Sequence, residues 1–104
     1  MLVCELQPRY SSRQSFYGKA KVFFSKDGAE VLVSYATVVA VCKDGKVYSR
    51  GFYSSTTTSH QKEFIKQCGF NADNNRDIDK NYGYYDEKFW DKYQKEYCKW
   101  RRER

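Results

Sequence analysis

Two Asp-Gly pairs, Asp27-Gly28 and Asp44-Gly45, are the feature that most limits how this chain can fold. Glycine accepts the positive φ that tight hairpin turns require, and Asp-Gly is a favoured pair at such turns. The pairs lie between runs rich in β-branched and aromatic residues, which is the pattern of antiparallel strands joined by hairpins. These runs predict a four-stranded antiparallel β-meander over residues 18–50.

The sequence pattern of two of the predicted strands also indicates which of their side chains are buried. In the first strand, alternation predicts that Ala20, Val22 and Phe24 point to the core and that Phe23 points away from it. The run over residues 37–42 is almost continuously apolar, which favours a central position in the sheet.

A hydroxyl-rich run, residues 54–59, separates the meander from a predicted helix over residues 57–69. Thr58 and Gln61 have the spacing of a capping box, in which the threonine accepts a free backbone N–H at the start of a helix. Gly69 stands where a glycine commonly ends a helix.

A second helix is predicted over residues 85–103, after a polar loop over residues 70–84. Its aromatic residues are spaced four, four and three apart, as one face of a helix requires: Phe89, Tyr93, Tyr97 and Trp100. The chain is therefore expected to be one α+β domain over residues 1–104. Its N-terminal segment, residues 1–17, is predicted to be irregular, and both helices are expected to cover one face of the sheet.

The chain is basic, with 19 Lys and Arg against 13 Asp and Glu in 104 residues, a formal net charge of +6. Residues 1–50 carry eight basic and four acidic residues, and residues 80–104 carry eight and five. A basic surface suits nucleic acid or an acidic protein and argues against mimicry of DNA. No apolar stretch approaches the roughly 20 residues that span a bilayer, and no signal peptide is recognisable, so we expect no membrane contact and a cytoplasmic location.

His60 is the only histidine, and it directly follows the hydroxyl run. A base beside a hydroxyl can activate a nucleophile. Neighbours on a helix do not face each other, however, so Ser59 and His60 are poorly placed as partners, and no GxSxG elbow surrounds them. We therefore expect no enzyme activity and interpret His60 as a structural residue over the sheet.

The same segment has a second interpretation, as an edge that binds an anion. Free N–H groups at a helix N-terminus, assisted by hydroxyls, can hold a phosphate. The candidate binding residues are Thr56, Thr57, Thr58, His60 and Lys62. Ordinary helix capping explains the hydroxyls equally simply.

A zinc site is a weaker alternative, with Cys42, His60, Cys68 and Cys98 as ligands. The cysteines contain no CxxC pair, and cytoplasmic cysteines are expected to stay reduced and to pack as small apolar residues. We therefore expect no cofactor, with zinc left open.

The C-terminal helix is the second candidate binding region. Lys99, Arg101 and Arg102 at its end are suited to phosphates, and Trp90 lies off the aromatic stripe, where an exposed ring can stack on a base. The exposed pair Tyr84-Tyr85 is a further candidate. The stripe itself is better explained as packing on the sheet.

Three segments resemble a family of small proteins in phages and prophages. They read SFYGKA at residues 15–20, SYATVVA at residues 34–40 and YSSTTTSH at residues 53–60, and correspond to SFYGKA, SYxTxVA and YSxTTxxH in that family. The resemblance implies a compact domain of sheet and helix from a mobile element, acting in a bacterial host, but implies no reaction.

By analogy with anti-CRISPR proteins, the resemblance implies a binding protein that inhibits or modulates a host nucleic-acid-handling complex. The partner would be a protein or a ribonucleoprotein, such as a Cas effector. The alternative is direct binding of single-stranded DNA or RNA through the basic, aromatic C-terminal helix.

Overall fold

The computed structural model describes residues 2–10, 16, 18–51, 53–73 and 75–103. Its antiparallel sheet has the order β1-β2-β3-β4-β5. The strands are β1 (Val3–Glu5), β2 (Ala20–Phe24), β3 (Glu30–Ser34), β4 (Thr37–Lys43) and β5 (Lys46–Ser49). The helices are α1 (Ser55–Gln67), α2 (Asn75–Tyr82) and α3 (Glu87–Arg102). The predicted α+β class and antiparallel meander are thus confirmed.

The turn between β4 and β5 shows why an Asp-Gly pair specifies this hairpin. Asp44 and Gly45 both have positive φ, 52° and 75°, as a two-residue type I′ turn requires. None of the helices in the described ranges has the length and hydropathy that spanning a bilayer demands.

The sheet has one strand more than predicted, because the N-terminal segment 1–17 contributes β1. Cys4 pairs with Val22, and the Leu6 N–H donates to the Ala20 carbonyl at 3.0 Å. Three residues are too few to show alternation in a sequence. Residues 1, 11–15 and 17 of that segment lie outside the described residues.

The predicted loop over residues 70–84 contains α2, so this prediction was also wrong. The helix is eight residues long and is anchored by the buried side chain of Ile78. A helix of two turns with so few apolar residues gives no clear period of 3.6.

The helices cover opposite faces of the sheet, whereas the sequence predicts both on one face. Residues 31–33 of β3 and 38–41 of β4 are all buried, and a strand buried on both faces needs a layer on each. The α1 face holds Ala20, Leu32, Ala40, Val47, Phe64, Ile65 and Ile78. The α3 face holds Phe23, Val31, Val33, Val38, Val41, Trp90, Tyr93 and Tyr97.

The burial of Phe23 and Phe24 in β2 is the reverse of the prediction, because both faces of the sheet are covered. Phe23 is 0% exposed because it points to the α3 face, which has its own core. Phe24 points to the other face, opposite Glu30, and is 63% exposed at the strand end. The prediction assumed a single covered face.

A β-bulge at Val39 gives both long helices a polar attachment to the sheet. A bulge disrupts the strand ladder locally, and here the Val39 carbonyl still accepts the Arg50 N–H at 3.0 Å from the β5 side. From the α1 side, Gln61 Nε2 donates to the Val39 carbonyl at 3.1 Å. From the α3 side, Gln94 Oε1 accepts the Val38 N–H at 2.8 Å. The two glutamines therefore fix the helices at one place in the sheet.

Asp27, in the turn between β2 and β3, attaches α3 to the sheet. Its carboxylate accepts hydrogen bonds from Tyr93 Oη at 2.7 Å, Lys43 Nζ at 3.0 Å and Lys92 Nζ. Burial alone would raise the pKa of Asp27, but the hydrogen bonds from Lys92, Tyr93 and Lys43 outweigh it and hold this pKa well below its usual range. The ionised carboxylate is therefore the form that the fold stabilises.

Replacing Asp27 by asparagine is expected to lower the free energy of unfolding by about 1–2 kcal/mol at pH 7, a discounted figure because water screens partly exposed pairs. Since the folded pKa is depressed, the stabilisation is present above the unfolded pKa of about 3.9 and is lost as the pH falls below it. Urea unfolding of wild type and Asp27→Asn at several pH values tests this. A difference that stays constant down to about pH 2 would contradict it.

Candidate functional site

The hydroxyl-rich run forms the start of α1, but its cap is not the predicted one. Ser54 is the N-cap, with an extended backbone and an Oγ that accepts the Thr57 N–H at 3.1 Å. Thr58 lies inside the helix and donates from Oγ1 to the Ser54 carbonyl at 2.9 Å. The predicted capping box of Thr58 and Gln61 is therefore wrong. The predicted end of the helix at Gly69 is confirmed, because Gly69 has a φ of 93° and its N–H donates to the Lys66 carbonyl at 3.0 Å.

His60 lies between α1 and the sheet, not at the surface. It is 0% exposed, and its Nδ1 is 2.8 Å from Ser34 Oγ at the end of β3. Ser34 Oγ is in turn 3.0 Å from Thr57 Oγ1, and the Phe16 ring packs edge-on against the imidazole at 4.9 Å. The geometry supports the structural interpretation, because Ser34 is only 3% exposed and a substrate has no direct access to this pair.

The predicted anion edge loses three of its five candidate binding residues to burial, and His60 is the first of them. Thr57 and Thr58 are buried, and their hydroxyls have partners within the protein. Thr56 and Lys62 are half-buried. Lys62 lines a hollow of about 190 Å³ beside Tyr10, one turn further along α1.

The four predicted zinc ligands are not brought together. Cys42 and Cys68 pack against the core of the α1 face, where burial raises the pKa of both thiols. Cys98 lies on α3, with Gln94 Nε2 at 3.5 Å from its Sγ, on the far side of the sheet. Within the described part of the chain, no three His, Cys, Asp or Glu side chains form a group able to hold a metal ion.

The aromatic stripe of α3 packs on the sheet as predicted, and Trp90 joins it. Trp90 is 1% exposed, its Nε1 donates to the Tyr84 carbonyl at 2.7 Å, and the Arg50 guanidinium lies 5.9 Å from its ring centre. The prediction of an exposed, base-stacking tryptophan is therefore wrong. Tyr84 and Tyr85 are exposed, in agreement with their position off the stripe.

The outer side of α3 carries a group of exposed cations that we call the cationic face. It consists of Lys88, Lys95, Lys99 and Arg102, and a fifth exposed cation, Arg101, lies on the flank of the helix with its guanidinium 5.9 Å from the Tyr97 ring centre. None of these five takes part in the ion pairs found among the described residues. Arg101 and Arg102, with Cys98, also border an open hollow of about 320 Å³. Only the last three of these cations are predicted from the sequence as binding residues.

Two further contacts concentrate positive charge on this face. Glu96 is turned toward the turn between β2 and β3, where its carboxylate accepts from Ser25 Oγ at 2.8 Å and from the Lys26 N–H at 3.2 Å. Asp91 on the same helix and Glu103, which is its C-cap, are exposed and offset part of the charge. The sequence contains a signal for this face, because its four cations are spaced seven, four and three residues apart: Lys88, Lys95, Lys99 and Arg102. This spacing places them on the side of the helix opposite the aromatic stripe.

Comparison with known proteins identifies a family but no function. No curated protein and no solved structure gave a significant match to the chain. The sequence model of one family, described as a family of unknown function (DUF8033), matches residues 4–80. That range contains all of the sheet except Val3, all of α1 and most of α2, and it ends before α3. Since the match covers well over half of the sequence, the chain belongs to the DUF8033 family.

Proposed function

We propose that this protein is a non-catalytic binding protein that engages a host nucleic-acid-handling complex through the cationic face of α3. The observation that carries the proposal is the set of four exposed cations on one side of a helix whose other side is fixed in the core, with Arg101 exposed on the flank. A rigid helix presents these charges without ordering a loop on binding, which keeps the entropic cost of association low.

The chemistry of the cationic face favours a partner with an anionic surface. Arg and Lys side chains bind phosphates and carboxylates by charge-assisted hydrogen bonds. A ribonucleoprotein presents both kinds of group, and a Cas effector with its guide RNA is one such complex. The phage resemblance of residues 15–20, 34–40 and 53–60 motivates this choice by analogy, and inhibition would arise from covering a functional surface of the partner.

Direct binding of single-stranded DNA or RNA is the second candidate, favoured by the same five cations and by exposed Tyr84 and Tyr85. The burial of Trp90, Tyr93 and Tyr97 leaves little of α3 available for base stacking. Binding of this kind would thus depend mainly on phosphate contacts and would weaken steeply with salt.

Reversing three charges of the cationic face, with Lys95→Glu, Lys99→Glu and Arg102→Glu, is expected to abolish binding without unfolding the protein, because all three side chains are exposed. The matched control reverses three exposed cations elsewhere: Lys26, Arg76 and Lys80. Each protein is used as bait in host lysate, with and without nuclease treatment. The proposal expects a complex that wild type and control recover and the α3 variant does not; equal recovery by all three would refute it.

Fluorescence anisotropy with a labelled single-stranded oligonucleotide separates the two candidates. Direct binding predicts a linear fall of log K with log salt between about 50 and 200 mM, and a slope smaller by about 2 in the α3 variant, since each phosphate contact contributes about 0.7. No binding of the wild type at the lowest salt would exclude the second candidate and leave the first intact.

A further inference from the structure

Cys42 and Cys68 are two half-buried thiols that the fold brings to one place, although they are far apart in the sequence. Cys42 lies near the end of β4, and Cys68 is the C-cap of α1. Both side chains pack against the core of the α1 face. The two thiols therefore lie between the same helix and the same face of the sheet.

The direction of α1 over the sheet explains how the two thiols meet. Near the start of the helix, Thr57 Oγ1 is 3.0 Å from Ser34 Oγ, and Ser34 pairs with Thr37 at the start of β4. About one turn later, Gln61 Nε2 reaches the Val39 carbonyl at 3.1 Å. The helix and β4 therefore run side by side in the same direction.

From the contact of Gln61 with Val39, both elements advance by the same distance to the two thiols. Seven residues lead along the helix from Gln61 to Cys68, about 10 Å at 1.5 Å per residue. Three residues lead along the strand from Val39 to Cys42, also about 10 Å at 3.3 Å per residue. A spacing of seven keeps Cys68 on the side of the helix that faces the sheet. The Cys68 thiol there donates a hydrogen bond to the Cys42 sulfur.

The other two cysteines of the chain are out of reach of this pair. Cys4 lies on β1, and two strands separate β1 from β4 in the sheet, so the two backbones are about 14 Å apart at 4.8 Å per strand. Cys98 lies on α3, which covers the opposite face. Because a disulfide requires Cα atoms within about 7 Å of each other, Cys68 is the one partner that the fold offers to Cys42.

We infer that Cys42 and Cys68 are a modification site, where a small-molecule disulfide oxidises the two thiols to an intramolecular disulfide that ties the end of α1 to β4 and that excess thiol reduces again. Hydrogen-bonded thiols need only a short approach to form a bond of about 2.05 Å. The bond closes a loop over residues 42–68, which restricts the unfolded chain and so stabilises the folded one. This inference does not depend on the function proposed for the cationic face.

The hydrogen bond between the thiols assigns the order in which they react. Burial raises the pKa of Cys42, but the hydrogen bond accepted from Cys68 offsets part of this rise. Burial raises the pKa of Cys68 more strongly, and the nearby Cys42 and Glu30 add to the rise. Cys42 is therefore the thiol that loses its proton first and attacks the small disulfide, since the thiolate is the nucleophile.

With oxidised glutathione as the small disulfide, the reaction consists of two thiol–disulfide exchanges. The Cys42 thiolate, whose proton has passed to water, attacks one glutathione sulfur, and the glutathione S–S bond breaks to release one glutathione thiolate. Cys68 then loses its proton and attacks Cys42 Sγ, which releases the second glutathione. Two protein thiols are thus oxidised to one disulfide, and one oxidised glutathione is reduced to two thiols.

The test exposes the reduced, folded full chain to oxidised glutathione at about pH 8.5, near the ordinary pKa of a thiol. Intact mass and peptide mapping are expected to show a loss of two hydrogen atoms per chain, a linked pair of peptides carrying Cys42 and Cys68, and reversal by dithiothreitol. The melting temperature of the oxidised chain should be higher by at least about 5 °C. The control, with Cys42→Ser and Cys68→Ser, keeps Cys4 and Cys98 and should form no internal disulfide.

Two single variants test the order of attack. Cys68→Ser is expected to accumulate glutathione on Cys42, whereas Cys42→Ser should carry at least about fivefold less on Cys68; the opposite ratio would overturn the assigned order. If a serine variant fails to fold, as circular dichroism will show, peptide mapping of the wild type decides alone. Glutathione on both thiols without a bond between them, no reaction at either thiol while Cys4 reacts, or an unchanged melting temperature would overturn the inference.

Discussion

Replacing Trp90 by alanine is expected to lower the free energy of unfolding by about 3–5 kcal/mol, the range for removing a large buried aromatic ring. Trp90 is buried in the core of the α3 face, where its ring lies 4.9 Å from that of Phe89. The variant also loses the hydrogen bond to Tyr84 O and the cation–π contact with Arg50. Because the free energy of unfolding of a small domain is only about 5–15 kcal/mol, the expected loss is a large fraction of it.

Urea unfolding followed by circular dichroism measures this effect. Phe24→Ala is the control, because it removes an aromatic ring that is largely exposed, and a change of about 0.5 kcal/mol or less is expected there. Trp90→Phe keeps most of the ring and loses the N–H, so an intermediate loss of about 1–2 kcal/mol should follow. Equal stability of Trp90→Ala and Phe24→Ala would show that Trp90 is not part of the core.

Replacing Gln61 by glutamate is expected to cost about 3–5 kcal/mol at neutral pH, although only one atom changes in identity, because a buried charge is left uncompensated. Gln61 Nε2 lies 3.1 Å from the carbonyl oxygens of Val39 and Gly51 and 3.3 Å from Ser49 Oγ. A carboxylate oxygen in that position cannot donate to the two carbonyls and is repelled by them. The substitution therefore disrupts the hydrogen bond that joins α1 to the bulge.

The pH dependence of Gln61→Glu distinguishes this mechanism from a simple packing defect. Burial and the two carbonyls should raise the pKa of the new carboxyl above its ordinary value of about 4.3. A raised folded pKa means that stability is full below the unfolded pKa and is lost as the pH rises through the folded one. The deficit relative to wild type should therefore be largest near pH 8 and shrink to about 1 kcal/mol near pH 4, where the protonated group can donate again.

Gln7→Glu makes the same chemical change at an exposed side chain and serves as the control for Gln61→Glu. Its stability should match the wild type at every pH within about 0.5 kcal/mol. A deficit of Gln61→Glu that does not vary with pH would argue against the charge mechanism and for lost packing.

The candidate binding surface was only partly predictable from the sequence. Lys99, Arg101 and Arg102 were identified because charged residues at a helix end seldom enter a core. The exposure of Trp90 was predicted wrongly. A residue beside an aromatic stripe faces solvent only where no other segment of the chain packs against that side of the helix. The segment leading to α3 covers Trp90 through Tyr84, and that contact spans a bend in the chain which periodicity does not record.

The sequence by itself determined the features that depend on neighbouring residues. Positive φ at Asp44 and Gly45 fixes a hairpin, Gly69 ends α1, and the spacing of Phe89, Tyr93 and Tyr97 commits α3 to one buried side. Such features follow from backbone sterics and from burial of apolar side chains within a few residues. The apolar run over residues 37–42 also indicated a central strand, but not what covers each of its faces.

Only the tertiary structure decided how those elements share the sheet. Placing α1 and α3 on opposite faces buried Phe23 and Trp90, enclosed His60 between α1 and β3, and left one side of α3 with its cations in solvent. These outcomes depend on which element packs on which face, a choice made by the total apolar area buried and by long-range contacts such as those of Gln61 and Gln94 at the bulge. Local sequence does not encode that choice, because either face of an all-apolar strand can accept either helix.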